Sequence, residues 1–483
     1  MIDFRPIIHV IGILLAVLAA AMMLPVLTDW LNGFEQDAVV FAACAAGALF
    51  IGVSAMLAAR TGELVIDNRQ SFVLATLAWI VLAGFAALPF AYSNLGLSAA
   101  GAFFEAMAGV TTTASTAITG LDSAPPGILL WRALLQWLGG MGTITFVILA
   151  LPNLQVAGMQ LFRLDTAESA HRAMPRAAQI VAGIALVYVA LTALCATGLR
   201  LAGMTGFEAV AHAMAAISTG GFSTSDQSIA HFRSPLIDAI LIVFMILGSL
   251  PFFLYLQALR GNPRRLLRES QIHWLLAVLV VTILLMTAWR WHHSGERFLH
   301  VLDECAFNVV SIVTGTGFTT AHYDSWGGLA IAAFLFLTIV GGCAGSASGG
   351  IKIFRFQVIY ASADMQIRRL VRPNGLFIPY FNGRPIPDTV ANAVMGFFFL
   401  FAVSFALLAL GLGLLGLDLL TSLSGAASAL SNVGAGLGPV IGPSGSFATL
   451  PDGAKWLLSF GMLLGRLDLY TVLVLLVPAF WRG

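Results

Sequence analysis

The sequence predicts an all-α polytopic membrane protein, with two leading transmembrane helices followed by four repeats of helix, pore helix, filter loop and helix around one pore. Three observations predict it. The 483 residues are 59% hydrophobic and only 10% charged, with a mean hydropathy of +0.91, so that much apolar surface needs lipid as its solvent. Ten segments are apolar for long enough to cross the hydrocarbon core as helices, which takes about 20 residues. Four loops of hydroxyl and glycine residues recur among them. From Ala114 through Gly221 and Gly317 to Gly434 the spacings are 107, 96 and 117 residues.

Taken in order, the apolar run from Ile7 to Leu27 is long enough to span, its charged flank is poor, and a second span follows it. A retained helix is therefore expected in place of a cleaved signal. Spans at 7–28 and 38–59 form the leading pair. Spans 71–92 and 128–151 flank a shorter stretch at 98–111, and spans 178–202 and 235–258 flank another at 204–218. Spans 272–290 and 328–360 flank 299–313, and spans 387–415 and 454–480 flank 418–431. Each shorter stretch is too short to cross, and each runs into one of the four loops. Glu208 and Glu304 both stand ten residues before the first residue of their loops. The expected partition is a leading helix pair at 1–66, then pore repeats at 67–152, 153–260, 261–372 (its second helix broken) and 373–483. Repetition of this kind implies copies assembled around an axis.

Charge sets the expected orientation. With the N-terminus in the cytoplasm, the inward segments hold 17 of the 24 Lys and Arg, among them Arg163, Arg172, Lys352 and Arg355. The positive-inside rule then puts both termini in the cytoplasm and all four loops on the outer side. A net charge of +1 gives no nucleic-acid footprint. Cys44, Cys195, Cys305 and Cys343 are isolated, with neither a CxxC pair nor metal spacing, and no cofactor is expected. P-loop, HExxH and GxSxG motifs are absent from the sequence, so the chain is not read as an enzyme.

The loops are Thr111-Thr112-Thr113-Ala114, Ser218-Thr219-Gly220-Gly221, Thr314-Gly315-Thr316-Gly317 and Ser431-Asn432-Val433-Gly434. Irregular backbone at membrane depth survives only where protein buries it or where it lines a watery cavity. Glycine lets the chain turn its carbonyls toward an axis, hydroxyls add uncharged oxygens, and rings of such oxygens replace the hydration shell of an alkali cation. The short helix before each loop points its negative end at the same place. Asp122, Asp226 and Asp324, just beyond the loops, could concentrate cations at the mouth or serve as N-caps. Glu105 and Glu208 are expected to be hydrogen-bond partners on the pore helices more than coupling carboxylates.

Two features read as a gate. The eighth span is interrupted by Gly341-Gly342-Cys343-Ala344-Gly345-Ser346-Ala347-Ser348-Gly349-Gly350, where a continuous helix is not expected. It reads as a segment that obstructs the pore and moves aside, with a small-residue packing patch as the alternative. Arg466 falls near mid-membrane in the tenth span, where an ionised side chain must face protein or water. It reads either as a pore-facing barrier to cations or as half of a buried pair with a distant acid. Asp468, two residues on, does not share its helix face.

Phe104-Glu105-Ala106-Met107 running into the first loop, Thr119-Gly120-Leu121-Asp122-Ser123, Gly220-Gly221-Phe222-Ser223-Thr224, Gly315-Thr316-Gly317-Phe318-Thr319-Thr320 and Asn432-Val433-Gly434 with Gly436-Leu437-Gly438-Pro439 together resemble the Trk/Ktr/HKT superfamily of potassium transporters, and within it the bacterial Trk membrane subunit. The resemblance covers nearly the whole chain. It implies K⁺ uptake across the bacterial inner membrane, a homodimer, a mobile loop at the gate position, and a cytosolic nucleotide-binding regulatory subunit of the TrkA type. The alternatives are a less selective K⁺/Na⁺ (or Rb⁺) pathway and an H⁺- or Na⁺-coupled symporter. Ala114 is the departure, because related sequences carry Gly there. Its Cβ penalises left-handed backbone and narrows the axis.

Overall fold

The structure, a computed structural model, describes residues 2–60, 66–149, 158–159, 173–443 and 445–482. Arg163 and Arg172, and the expected repeat boundary at 152, lie outside the described residues. Helices dominate. The leading pair, α1 (Arg5–Leu31) and α2 (Glu35–Ala58), packs along its length. The contact is close where glycines face each other, since a Cβ on Gly12 would lie 2.6 Å from the Gly52 carbonyl oxygen. Helix α1 then leans on α3 (Asn68–Tyr92) and α5 (Pro126–Leu149), where Asp29 Oδ1 accepts from the Gly127 N–H at 2.6 Å and caps the start of α5. Large apolar side chains such as Phe50, Leu285 and Phe399 are exposed on the outer helices, as a lipid-facing surface requires.

Between the long helices lie shorter ones: α4 (Ala99–Val110), α7 (Gly206–Ile217), α11 (Phe298–Thr314) and α15 (Leu419–Ser431). Their starts are fixed locally. Ser98 caps α4 through the Gly101 N–H, Thr205 and Glu208 form a reciprocal capping box on α7, and Asp418 accepts from the Thr421 N–H on α15. The remaining long helices are α6 (Ala173–Leu201), α10 (Ser270–Ser294) and α14 (Asp388–Leu414).

Several expectations are corrected. Among the described residues six helices are apolar and long enough to span, or eight if each bent pair counts as one span, while α5 and the broken eighth segment occupy the other two expected places. The segment expected at 235–258 is two helices, α8 (Pro235–Gly248) and α9 (Phe252–Leu259), meeting at 90°. Pro251 explains this break, because it lacks an N–H and drives Leu250 out of helical conformation. The segment expected at 454–480 is α16 (Asp452–Arg466) and a second piece beginning with α17 (Tyr470–Leu473), turned by 109°. There Asp468 and Leu469 both adopt positive φ, +59° and +46°. The eighth segment is broken as expected, into α12 (Gly328–Val340) and α13 (Ile353–Val371). Helices α13 and α14 are joined by a small antiparallel hairpin, Tyr380–Phe381 with Arg384–Pro385, that an all-α reading omits. Its Asn382-Gly383 turn has positive φ at both residues, as a two-residue hairpin demands.

Candidate filter and gate

The four short helices end in the same way. In every loop the N–H of the second residue donates three residues back: Thr112 to Gly109, Thr219 to Ala216, Gly315 to Ile312 and Asn432 to Ala429. The N–H of the third residue donates five back: Thr113 to Ala108, Gly220 to Ala215, Thr316 to Ser311 and Val433 to Ser428. This is the Schellman closure, which needs a left-handed residue at the second position. All four have it, with φ of +54° at Thr112, +49° at Thr219, +79° at Gly315 and +52° at Asn432. Glycine and asparagine adopt that geometry readily, whereas a β-branched threonine holds it at a cost of about 1–3 kcal/mol. The strain at Thr112 and Thr219 was invisible in the sequence, where threonine is no signal for φ > 0.

The fourth positions are left-handed again at Gly221, Gly317 and Gly434, with φ of +76°, +84° and +90°. Ala114 is the exception and has no positive φ. The four fourth positions converge. A Cβ on Gly221 would lie 1.8 Å from the Thr316 carbonyl oxygen, one on Gly317 2.1 Å from the Val433 carbonyl oxygen, and one on Gly434 2.2 Å from the Ala114 nitrogen. The methyl of Ala114 occupies this convergence, 2.7 Å from where a Gly317 Cβ would stand. A cavity of about 210 Å³, lined by all four of these residues, opens next to them.

Hydroxyls supply further oxygens. Thr111 pairs with Thr113 at 2.9 Å and Thr314 with Thr316 at 2.8 Å, while Asn432 Nδ2 donates to Thr113 Oγ1 at 3.0 Å and joins the fourth loop to the first. Thr112 Oγ1 and Ser431 Oγ are buried without a hydrogen-bond partner among the described residues. Such atoms are costly unless something polar meets them.

The carboxylates near the loops serve the scaffold. Glu105 is fully buried and accepts from Arg132 Nε at 2.8 Å, the Ala117 N–H at 2.7 Å and the Thr116 hydroxyl. Arg132 Nη1 donates to the Ser223 carbonyl at 2.7 Å, and its guanidinium lies 4.1 Å from the Phe222 ring centre. Asp226 accepts from the Gly120 and Leu121 N–H groups and so organises loops. Glu304 pairs with Arg290 whereas Glu208 caps α7, so the sequence echo between them marks position and not role.

The glycine-rich segment is well held. Gly341, Gly345 and Gly350 take positive φ, and Gly342 and Gly349 pack where a Cβ would meet Ser348 and the Ser431 carbonyl. Ser348 Oγ accepts from the Gly342 N–H and donates to the Thr314 carbonyl at 2.6 Å, so the segment abuts the third loop. The Cys343 N–H donates to the Ser249 carbonyl and the Ala344 N–H to Gln271 Oε1, while the Gly345 carbonyl accepts from the Phe252 N–H. Sequence reasoning missed this seat for the segment in the break between α8 and α9, although Pro251 signalled the break.

Arg466 is buried at the end of α16, donating Nε to Thr143 Oγ1 at 2.6 Å and Nη1 to the Ala347 carbonyl at 2.9 Å. Among the described residues its bonded partners are thus a hydroxyl and a carbonyl and not an acid. Asp468 instead pairs with Arg355 at 3.0 Å. Lys352 and Arg355, counted among cytoplasmic basic residues, are buried beside it.

The family model described as TrkH, a cation transport protein, matches residues 39–482. The Trk system potassium uptake protein TrkI of Halomonas elongata is 43% identical over 488 residues, covering 99% of this chain and 97% of that protein. The Trk system potassium uptake protein TrkH of Escherichia coli (strain K12) is 34% identical over 490 residues, covering 99% of each. The crystal structure of the potassium transporter TrkH from Vibrio parahaemolyticus agrees with this fold at a TM-score of 0.92 and 34% identity, over 100% of both chains. These relatives are uptake proteins and not enzymes, as the absence of catalytic motifs led us to expect. With the family model matching nearly the whole sequence and the fold agreeing throughout, the chain belongs to the TrkH family of cation transport proteins.

Proposed function

We propose that this chain takes up potassium across the bacterial inner membrane through a gated pore, with the four loops as its filter and the 341–350 segment and Arg466 as its gate. The observation that carries the reading is the shared backbone geometry of the loops: four Schellman closures whose fourth residues converge on one point. Left-handed residues at alternate positions turn successive carbonyls toward one side, which is how a backbone replaces a cation's hydration shell. The potassium uptake named for the relatives, at up to 43% identity among those compared, supports K⁺ as the substrate. Four pore repeats behind a leading helix pair, both termini in the cytoplasm and a homodimer belong to the same reading. So does a cytosolic nucleotide-binding regulatory subunit, for which the basic stretches at 260–268 and 368–384 offer a surface.

Ala114 favours a second reading, in which discrimination between K⁺ and Na⁺ is weaker than four glycines would give. Its backbone departs from the pattern of the other three walls, and its methyl sits where they meet. Coupled symport has less support, since Glu105 is spent on an ion pair and Glu208 on a helix cap. The test is uptake of Rb⁺ and Na⁺ into proteoliposomes under an imposed potential, with and without a proton gradient. Rb⁺ uptake driven by the potential alone is expected, faster than that of Na⁺. Equal rates for the two ions would sink the selective filter, and a requirement for the proton gradient would sink the uncoupled pore.

A further inference from the structure

The second loop is held from behind in a way the others are not. Gln136 lies one helical turn beyond Arg132 on α5, so both side chains leave the same face of the helix. It is completely buried. Its Nε2 donates to the Gly220 carbonyl at 2.6 Å, and its Oε1 accepts from the Phe222 N–H at 3.0 Å. One side-chain amide therefore bonds a carbonyl and an N–H two residues apart, as a neighbouring strand would. Both peptide planes on either side of Gly221 are fixed by it. The fit is tight, since a Cβ on Gly220 would lie 2.5 Å from Gln136 Cδ.

The Gly220 carbonyl is the third-position carbonyl of its loop. Its counterparts in the third and fourth loops face their neighbours: Thr316 O lies toward Gly221 and Val433 O toward Gly317. Among the described residues no side chain bonds the third-position carbonyls of Thr113, Thr316 or Val433. Among these four, Gly220 alone has its oxygen engaged by a side-chain amide donor, from α5. Selectivity in a carbonyl-lined filter depends on how many oxygens meet the ion and how strong their field is. An oxygen already bonded from behind is both turned away and partly neutralised.

We propose that Gln136 is a specificity-determining positioning residue, which withholds the Gly220 carbonyl from the ion and so fixes the oxygen count of the filter at that level. This rests on the filter reading above. Without the clamp the carbonyl is free to move, and a ring of oxygens no longer held at one radius closes as well around the smaller Na⁺.

The test compares initial rates of Rb⁺ and Na⁺ uptake in proteoliposomes for the full chain and two variants. Gln136→Met removes both bonds at similar volume, and Gln136→Leu removes both with a branched side chain and no added charge. Monodispersity and melting temperature are recorded for each, and the ratio is read from whatever fraction transports, since it does not depend on how much of the protein is folded. The Rb⁺ to Na⁺ ratio is expected to fall roughly fivefold in either, the size of one hydrogen bond's net effect. A residue that merely supports the fold would lower both rates together, so an unchanged or increased ratio overturns the proposal. A selective parent with unaltered variants removes this inference alone, whereas an unselective parent removes the filter reading with it.

Discussion

Thr112 and Thr219 hold left-handed backbone that threonine avoids, and the reason lies in what their neighbours need. A Schellman closure aims the next two peptide groups, and a hydroxyl is kept there despite strain of about 1–3 kcal/mol. Ala114 shows the opposite outcome, a residue that does not take the left-handed form at its position. Ala114→Gly is therefore expected to let the first loop match the other three and to raise the Rb⁺ to Na⁺ uptake ratio by roughly fivefold, equivalent to about 1 kcal/mol. An unchanged ratio in dual-isotope uptake would place the discrimination elsewhere. Gly221→Ala carries the reverse expectation, because its Cβ would lie 1.8 Å from the Thr316 carbonyl oxygen, which is backbone and cannot step aside. Uptake should be abolished and the melting temperature in detergent lowered. The loops themselves were legible in the sequence, as was the departure from glycine at Ala114. The left-handed second positions were not, because two of the four are filled by a residue that gives no sign of it.

At the scale of elements, three inner helices are interrupted, at 249–251, 341–352 and 467–469, and the interruptions meet one another. The glycine-rich segment bonds the break beside Ser249, the third loop through Ser348 and the end of α16 through Arg466. A guanidinium bonded to a carbonyl is a strong tether in a low-dielectric site. Arg466→Ala should free Ala347 and raise Rb⁺ flux several-fold, measured in proteoliposomes at fixed potential. Unchanged or lower flux from a well-folded variant would count against a gating role. Only the middle interruption was evident from composition, where small residues crowd together. The first needed weight on Pro251, and the third depends on two left-handed residues, Asp468 and Leu469, that nothing local announces.

For the whole molecule, Glu105 and Arg132 form a buried pair that ties the first loop's return strand to the second's. Arg132→Met leaves a buried carboxylate without its partner, at an expected loss of about 3–5 kcal/mol. The melting temperature should drop sharply. The double variant Glu105→Leu with Arg132→Met should recover part of the loss, because neither charge then stays buried alone. A single variant as stable as the parent would show that the pair contributes nothing to the assembly of the loops.

The sequence by itself determined that this chain lives in lipid, that short helices lead into four equivalent loops, and that one long span is broken. Those properties follow from local chemistry: apolar run length, glycine placement and the spacing of the loops. Only the tertiary structure decided which atoms meet. It brought the fourth residues together, seated the glycine-rich segment against Ser249 and Thr314, turned Arg466 to Ala347 and aimed Gln136 at Gly220. These contacts join residues from tens to hundreds of positions apart, and what selects them is the need to satisfy buried polar groups where no water reaches. The loops are written in the sequence, whereas the oxygens they offer an ion are set by what stands behind them.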